Sequence, residues 1–344
     1  CIQIKKGNYS NMKKVLVTGA TGFIGLHCVQ QLLNKGFQVN GTLRSFDRKD
    51  EVMDALSSHN TSTEHLTLFE TDLLDDKGWD EAIEGCEYVL HVASPFVLTP
   101  ENEDFFVKPA VEGSLRVLKL ANNHRIKKVV LTSSFAAMAD TLEEKESFDE
   151  LDWSDPNKVG IRPYGKSKTL AEKAAWDFMS SDNPSFTLTV INPVAVTGPS
   201  LSKDIGTSNS IIRQMINGNV PGTSKVHIGY VDVRDVATAH ITAMLNNQTD
   251  GERIIVFEKT LWMDEVATIL RDAGFDKAPS KVMPKWAMQI MSIFKKDLKF
   301  IVPLINKKRH IHSTKATDLL HWEPISAEES IVATAKQLQE YNLA

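Results

Sequence analysis

At 344 residues the chain is long for one compact core, which favours two lobes or one large α/β unit with insertions. Its composition, 42% hydrophobic and 24% charged, is that of an ordinary globular protein, and a formal net charge of -5 gives no reason to expect a polyanion, so no nucleic-acid partner is expected. Cys1, Cys28 and Cys86 are scattered with no CxxC, which argues against a cysteine zinc site or a disulfide framework and makes a reducing cytoplasm the simplest setting.

Residues 1–11, CIQIKKGNYSN, lack periodicity and precede Met12; they match neither a signal peptide nor a structured element and are expected to be a disordered or non-native extension. From Lys13 strand and helix alternate. VLVT at 15–18 is a short apolar run ending in glycines, and FIGLHCVQQLLNK after it reads as a helix stopped by Gly36. FQVNGTLR (37–44) is a second strand, a polar helix follows near 47–57, and HLTLFETDL (65–73) is a third strand. YVLHVAS (88–94) and KVVLTSS (128–134) are the fourth and fifth, separated by a long helix over about 104–123.

In RPYGKSKTLAEKAAW (162–176), residues from Lys166 onward are strong helix formers, and Leu170, Ala171, Ala174, Ala175 and Phe178 recur at the spacing of one buried face. Gly165 is costly inside a helix and is tolerated mainly where backbone or ligand comes close. FTLTVINP (186–193) is the next strand. Apolar, β-branched strands alternating with helices predict a doubly wound (Rossmann) parallel sheet covered on both faces.

Beyond Pro193 the rhythm breaks. A loop, a short helix at 209–218, a helix over 231–245, a strand at 252–258 and helices near 263–273, 284–294 and 326–340 are expected. The division that follows is residues 12–193 as the dinucleotide-binding unit and 194–344 as a smaller, mostly C-terminal substrate-binding lobe with elements returning to the first. WAMQIMSIF (286–294) is half the length of a membrane span, which needs about 18 residues, and the lysines after it read as a solvated face, so no membrane partner is expected.

VTGATGFIG places Gly19, Gly22 and Gly25 between the first strand and the first helix. A phosphate can approach a loop without side chains, and a helix N-terminus supplies unpaired N–H donors and a positive dipole end. NAD sites usually carry an acid at the end of the second strand, roughly 20 positions past the loop. Here Arg44 stands there, 19 residues after Gly25. A guanidinium can grip a 2′-phosphate through two parallel hydrogen bonds, with Ser45 and Arg48 as further donors, so NADPH/NADP+ is the expected cofactor. Asp72 and Leu73, ending the third strand, would face the adenine.

The fifth strand delivers Thr132, Ser133 and Ser134 beside the nicotinamide position, and the helix delivers Tyr164 and Lys168 one turn apart on one face. A phenol has a pKa of about 10, and a neighbouring ammonium, together with the positive charge of an oxidised nicotinamide cofactor, is expected to bring it down. His91 is expected to serve packing or a loop hydrogen bond. His59, Glu64 and His65 fit no metal signature, so no metal is expected. Phe96, Phe135, Met215 and Tyr230 fit either an apolar pocket or the core.

VTGATGFIG, GTLRS, TDL, HVASP, VVLTSS, YGKSKTLAEKAAWDF, NPVAVTGP and VDVRDVATAH together resemble the extended short-chain dehydrogenase/reductases over most of residues 13–245. More narrowly, the chain resembles the branch of dihydroflavonol reductases, cinnamoyl-CoA reductases and microbial NADPH-dependent aldehyde reductases. That resemblance implies a catalytic serine at Ser134, with Ser133 the alternative by one position, a catalytic tyrosine at Tyr164 and a lysine at Lys168. It extends the cofactor contacts to Thr21, Phe23 and Ile24 in the loop, to Val92, Ala93 and Ser94, and to Pro193 and Val196 near the nicotinamide amide. No KNWYCY-type segment accompanies the tyrosine helix, which argues against a CoA thioester.

The implied activity is NADPH-dependent reduction of a small-molecule aldehyde or ketone by a monomer or homodimer. A nucleotide-sugar epimerase or dehydratase is the alternative within enzymes, disfavoured by Arg44 and by SSFAAMAD in place of an ATVYG segment. A non-catalytic dinucleotide-sensing protein is the alternative outside them, and such proteins generally lose the tyrosine–lysine pair.

Overall fold

Successive strand residues between Lys14 and Val256 face opposite sides of one sheet, and both sides are apolar. Val15, Val17 and Val130 join one buried cluster, whereas Leu16, Val129 and Leu131 join another. That two-sided burial is why these strands read as continuous β-branched runs rather than alternating ones. The computed structural model describes residues 12–94, 104–141, 144–181, 184–294 and 301–341. The expected extension at residues 1–11 and the pocket candidate Phe96 lie outside them.

In chain order, β1 (Lys14–Thr18) leads into α1 (Phe23–Asn34), β2 (Gln38–Leu43) into α2 (Lys49–Ser58), and β3 (Leu66–Glu70) into α3 (Trp79–Ile83). Next come β4 (Tyr88–His91), α4 (Asp104–Asn123), β5 (Lys128–Thr132), the single turn α5 (Ala136–Ala139), β6 (Ser147–Phe148), α6 (Pro163–Ser181) and β7 (Thr187–Pro193). The rest comprises β8 (Ala195–Thr197), α7 (Thr207–Ile216), β9 (His227–Asp232), α8 (Val233–Leu245), β10 (Arg253–Val256), β11 (Lys259–Trp262), α9 (Met263–Asp272), α10 (Lys285–Phe294), β12 (His310–Ile311), α11 (Lys315–Leu320) and α12 (Ala327–Glu340).

The central sheet has seven strands in the order β10-β7-β5-β4-β1-β2-β3, all parallel. It is the doubly wound Rossmann arrangement that the alternation predicts. Chain order reverses between β1 and β4, which opens a crevice at the carboxyl ends of the strands. Leu26 and Leu32 of α1 meet Val236 and Met244 of α8 on one face, and Trp79, Val117 and Phe178 from α3, α4 and α6 cover the other. Leu16 is fully buried, and truncating such a residue to alanine costs about 2–5 kcal/mol.

Beyond Pro193 a second sheet forms in the order β11-β9-β8, with β9 antiparallel to β11 and parallel to β8. It packs on α7, α9 and α12 through Ile212, Leu270, Ile331 and Leu338. α8 and β10 return to the main body, β10 pairing with β7 from Arg253 opposite Val190. The helix expected over 231–245 is shorter than its pattern: Val231 and Asp232 end β9, and the Asp232 carboxylate accepts the Arg234 N–H at 2.8 Å to cap α8. None of the described helices is long and apolar enough to cross a membrane.

Candidate active site

The glycine loop is shaped by close approaches. Gly19 has φ +73°, and a Cβ there would lie 3.0 Å from the Ala93 Cα, while one on Gly25 would collide with the Gly19 carbonyl oxygen. α1 begins after Gly22 with no side-chain cap, so its first-turn N–H groups face the crevice without a capping oxygen. Thr18 joins this loop to the next strand end. Its hydroxyl oxygen accepts the Val92 and Ala93 N–H groups at 3.0 and 2.9 Å, which leaves its proton for His91 Nδ1 at 2.9 Å. His91 is therefore an acceptor on that nitrogen, and burial, with Lys168 adding repulsion, pushes its pKa down to about 3. It serves a loop hydrogen bond, as expected.

At the end of β2 the Arg44 side chain is 72% exposed, its Nε 4.0 Å from Asp72 Oδ2. Ser45 accepts the Asp47 N–H at 3.2 Å, starting the turn that carries Arg48. Arg48 lies over the glycine loop, donating to Thr21 Oγ1 at 3.1 Å while Glu51 holds its Nε at 2.8 Å. Phe23 reaches out of the loop toward Gly206, whose φ is +70° and where a Cβ would sit 2.7 Å from the Phe23 ring; Ile24 is half-buried beside it. Asp72 Oδ1 accepts the Leu74 N–H at 2.8 Å, and Leu73 packs onto Gly113.

At the other end of the crevice, Ser134 follows β5 and hydrogen-bonds the Tyr164 hydroxyl. Ser133 faces the opposite way and donates to the buried Glu172 at 2.5 Å. Adjacent residues of an extended segment point to opposite sides, and these contacts place Ser134, of the two, beside the tyrosine. Lys168 is buried; its Nζ donates to the Thr132 carbonyl at 3.2 Å and stands 6.0 Å from the Tyr164 ring centroid. Burial pulls the Lys168 pKa down to about 8, with Glu172 opposing the fall.

Burial raises the Tyr164 pKa, and Ser134 and Arg162 oppose that rise. The Lys168 ammonium is turned to the Thr132 carbonyl.

Ala93, Ser94, Thr132, Ser133, Lys168 and Glu172 line one narrow crevice, so the loop after β4 meets the lysine. The Pro193 carbonyl accepts the Phe135 N–H at 2.9 Å, and Val196 pairs with Val231 in the second sheet. Met215 and Tyr230 are buried in the core around Leu270, and Phe135 packs edge-on against Phe148. No metal-binding group of side chains occurs among the described residues.

Thr18, Asp140, Arg162 and Glu172 are structural partners of the site that motif reading does not single out. Only Glu172 carried a usable signal: it continues the Tyr164, Lys168 spacing of four along α6.

β2, β1, β4 and β5 are consecutive in the sheet, so Arg44 and Ser134 are separated by three strand spacings, about 14 Å, with the glycine loop between them. A cation at one end, uncapped helix donors in the middle and a serine–tyrosine–lysine group at the other define a dinucleotide-binding oxidoreductase scaffold. The family described as "NAD dependent epimerase/dehydratase family" matches residues 15–256, and the chain belongs to it.

A cinnamoyl-CoA reductase of Medicago truncatula is 35% identical, over 97% of this chain and 98% of that protein. The crystal structure of yeast methylglyoxal/isovaleraldehyde reductase Gre2 complexed with NADPH superposes with a TM-score of 0.79 at 27% identity, covering 96% of this chain and 99% of that one. Gre2 of Candida albicans in complex with NADPH gives a TM-score of 0.78 at 32% identity, over 95% and 99%.

Proposed function

We propose that the protein is an NADPH-dependent reductase of aldehydes or ketones of modest size. The observation that carries this reading is the hydrogen bond between Ser134 and Tyr164, with Lys168 one helical turn away, at the carboxyl end of β5 beside the glycine loop. The relatives named for NADPH and for reduction support the same reading. The described residues suit the cofactor: the uncapped start of α1 and the bare Gly19 and Gly25 would receive the pyrophosphate, and the exposed Arg44 the 2′-phosphate. Bound there, NADPH supplies a hydride.

The chain's own residues do the rest. Ser134 donates to the substrate carbonyl oxygen and fixes it next to Tyr164. A tyrosine whose pKa is raised by burial keeps its proton in the resting site and gives it up when the carbonyl oxygen becomes an alkoxide, a far stronger base. The carbon gains hydride, the oxygen gains the phenolic proton, and the product is an alcohol. Lys168 binds the ribose, and its charge favours the phenolate that remains until solvent returns a proton. Residues 194–344 supply the lobe that selects the substrate. An epimerase reading is disfavoured because Arg44 holds the position where NAD enzymes usually carry an acid.

The test is NADPH oxidation across a panel of aldehydes, α-dicarbonyls, β-keto esters and dihydroflavonols. Reduction of at least one class is expected. A protein that binds NADPH yet reduces none of them would overturn the assignment.

A further inference from the structure

Behind Lys168 the interior holds a carboxylate with no exposure. Glu172 Oε2 accepts the Ser133 hydroxyl at 2.5 Å and the Asn192 amide at 2.9 Å, while Oε1 accepts Arg253 Nε at 2.5 Å and Trp176 Nε1 at 3.4 Å. Arg253 continues the chain of contacts outward. Its Nη1 donates to the Glu150 and Asp152 carbonyls at 2.7 and 2.9 Å, and its guanidinium lies 3.6 Å from the Trp153 ring centroid. One ion pair thus joins α6, the ends of β5 and β7, the start of β10, and the segment around residue 150.

A buried ion pair adds little net stability compared with apolar side chains of the same shape, because both charges lose their water. Its location is more informative than its strength. Glu172 is one turn along α6 from Lys168, and Ser133, which it grips, is covalently next to Ser134. The groups facing Lys168 are the Thr132 carbonyl on β5, a neutral His91 on β4, and Tyr164 and Glu172 on α6 itself. Of these, only Glu172 brings a negative charge.

We propose that Glu172, anchored by Arg253, is a positioning residue for the reaction: it holds the strand end that carries Ser134 against α6 and supplies the counter-charge for Lys168. This rests on the reading of Tyr164 and Lys168 as the proton-delivering pair. The physical consequence concerns the ionisation of Lys168. Burial favours the neutral amine, and a fixed carboxylate one turn away opposes it, so the ammonium persists to about pH 8.

Glu172→Gln tests this, because it keeps the size and an acceptor for Arg253, and offers a donor to Asn192 Oδ1, a buried oxygen without a hydrogen-bond partner in the structure. Two readouts are compared with wild type: the pH profile of kcat with NADPH and an aldehyde, and the titration of Lys168 followed directly by 15N NMR of the labelled side chain. Loss of the counter-charge is expected to move both toward lower pH by about one unit, with kcat falling several-fold at pH 8.5 and little at pH 6.5.

A lower melting temperature alone is what a merely structural role would produce. If the unpaired Arg253 prevents folding, Glu172→Gln combined with Arg253→Met removes both charges and carries the same readouts. An unchanged Lys168 titration in a folded variant overturns the proposal. If wild type reduces no carbonyl while the Lys168 titration still moves, the functional reading fails and what stands is Glu172 as the counter-charge of Lys168.

Discussion

Gly165 lies directly against the carboxylate of Asp140, which is itself locked to Arg162: a Cβ at position 165 would collide with Asp140 Oδ2. The glycine lies in the first turn of α6, one residue after Tyr164, so the backbone that presents the phenol is set by how closely Asp140 can approach. Gly165→Ala improves helix propensity yet forces this contact apart. A net loss of about 1–3 kcal/mol is expected from overpacking, read as a lower urea midpoint, together with a fall in kcat as Tyr164 shifts. A variant as stable and as active as wild type would show that Asp140 yields without cost.

The same position shows how far the amino-acid sequence could be read. A glycine inside a helical pattern signals close approach, but the approaching group comes from position 140, and only the fold brings it there. Ser134 and, one position away, Ser133 were both candidates for the catalytic serine, and residue order does not choose between them; in the fold Ser133 turns to Glu172 while Ser134 meets Tyr164. The doubly wound sheet was legible because its strands are buried on both faces and separated by long amphipathic helices. β8 and β11 were not, since three or four residues carry too little periodicity, and the apolar end of β9 runs straight into α8. The direction of the Lys168 side chain was hidden for a reason of the same kind: residues four apart share a helix face, but a neighbouring carbonyl, here that of Thr132, decides where the ammonium points.

Tyr164→Phe keeps the packing and removes the hydroxyl that bonds Ser134. Carbonyl reduction is expected to disappear while NADPH binding, followed by fluorescence, survives. Activity above about a tenth of wild type would refute the proton-donor assignment, since general acid catalysis contributes roughly a hundredfold or more.

His240 contributes to stability against acid. Its Nδ1 donates to the Val236 carbonyl at 2.7 Å and its Nε2 accepts the Thr132 hydroxyl at 2.6 Å, a neutral ring whose pKa burial pushes down to about 4. In the unfolded chain the same histidine titrates near the ordinary 6.5. Between those values the unfolded state binds the extra proton, so the stabilisation is complete above pH 6.5 and is lost as pH falls toward 4, at about 1.4 kcal/mol per unit. Urea denaturation at a series of pH values should give a shallower dependence for His240→Asn than for wild type across this window. Parallel curves would mean that the buried ring is already charged in the fold.

Arg44 carries the sharpest expectation about cofactor choice. Its guanidinium is largely in solvent, and the Asp72 carboxylate beside it is 4.0 Å away, too far for a hydrogen bond. It can therefore turn to a 2′-phosphate without giving up a strong partner. Arg48 is less free, since Glu51 and Thr21 already occupy its donors. A bidentate guanidinium–phosphate contact at a partly exposed site contributes on the order of 1.5–3 kcal/mol, which corresponds to roughly ten- to a hundredfold in affinity. NADH loses that contact without meeting repulsion, so it should support slow turnover. Arg44→Asp reverses the preference: a carboxylate repels the phosphate, stands near the Asp72 carboxylate, and can accept hydrogen bonds from the free ribose hydroxyls. The measurement is kcat/KM for NADPH and NADH in both proteins with one common aldehyde. A wild type that prefers NADH, or an aspartate variant whose preference for NADPH is undiminished, would remove Arg44 as the phosphate ligand and shift attention to Arg48 and the loop it covers.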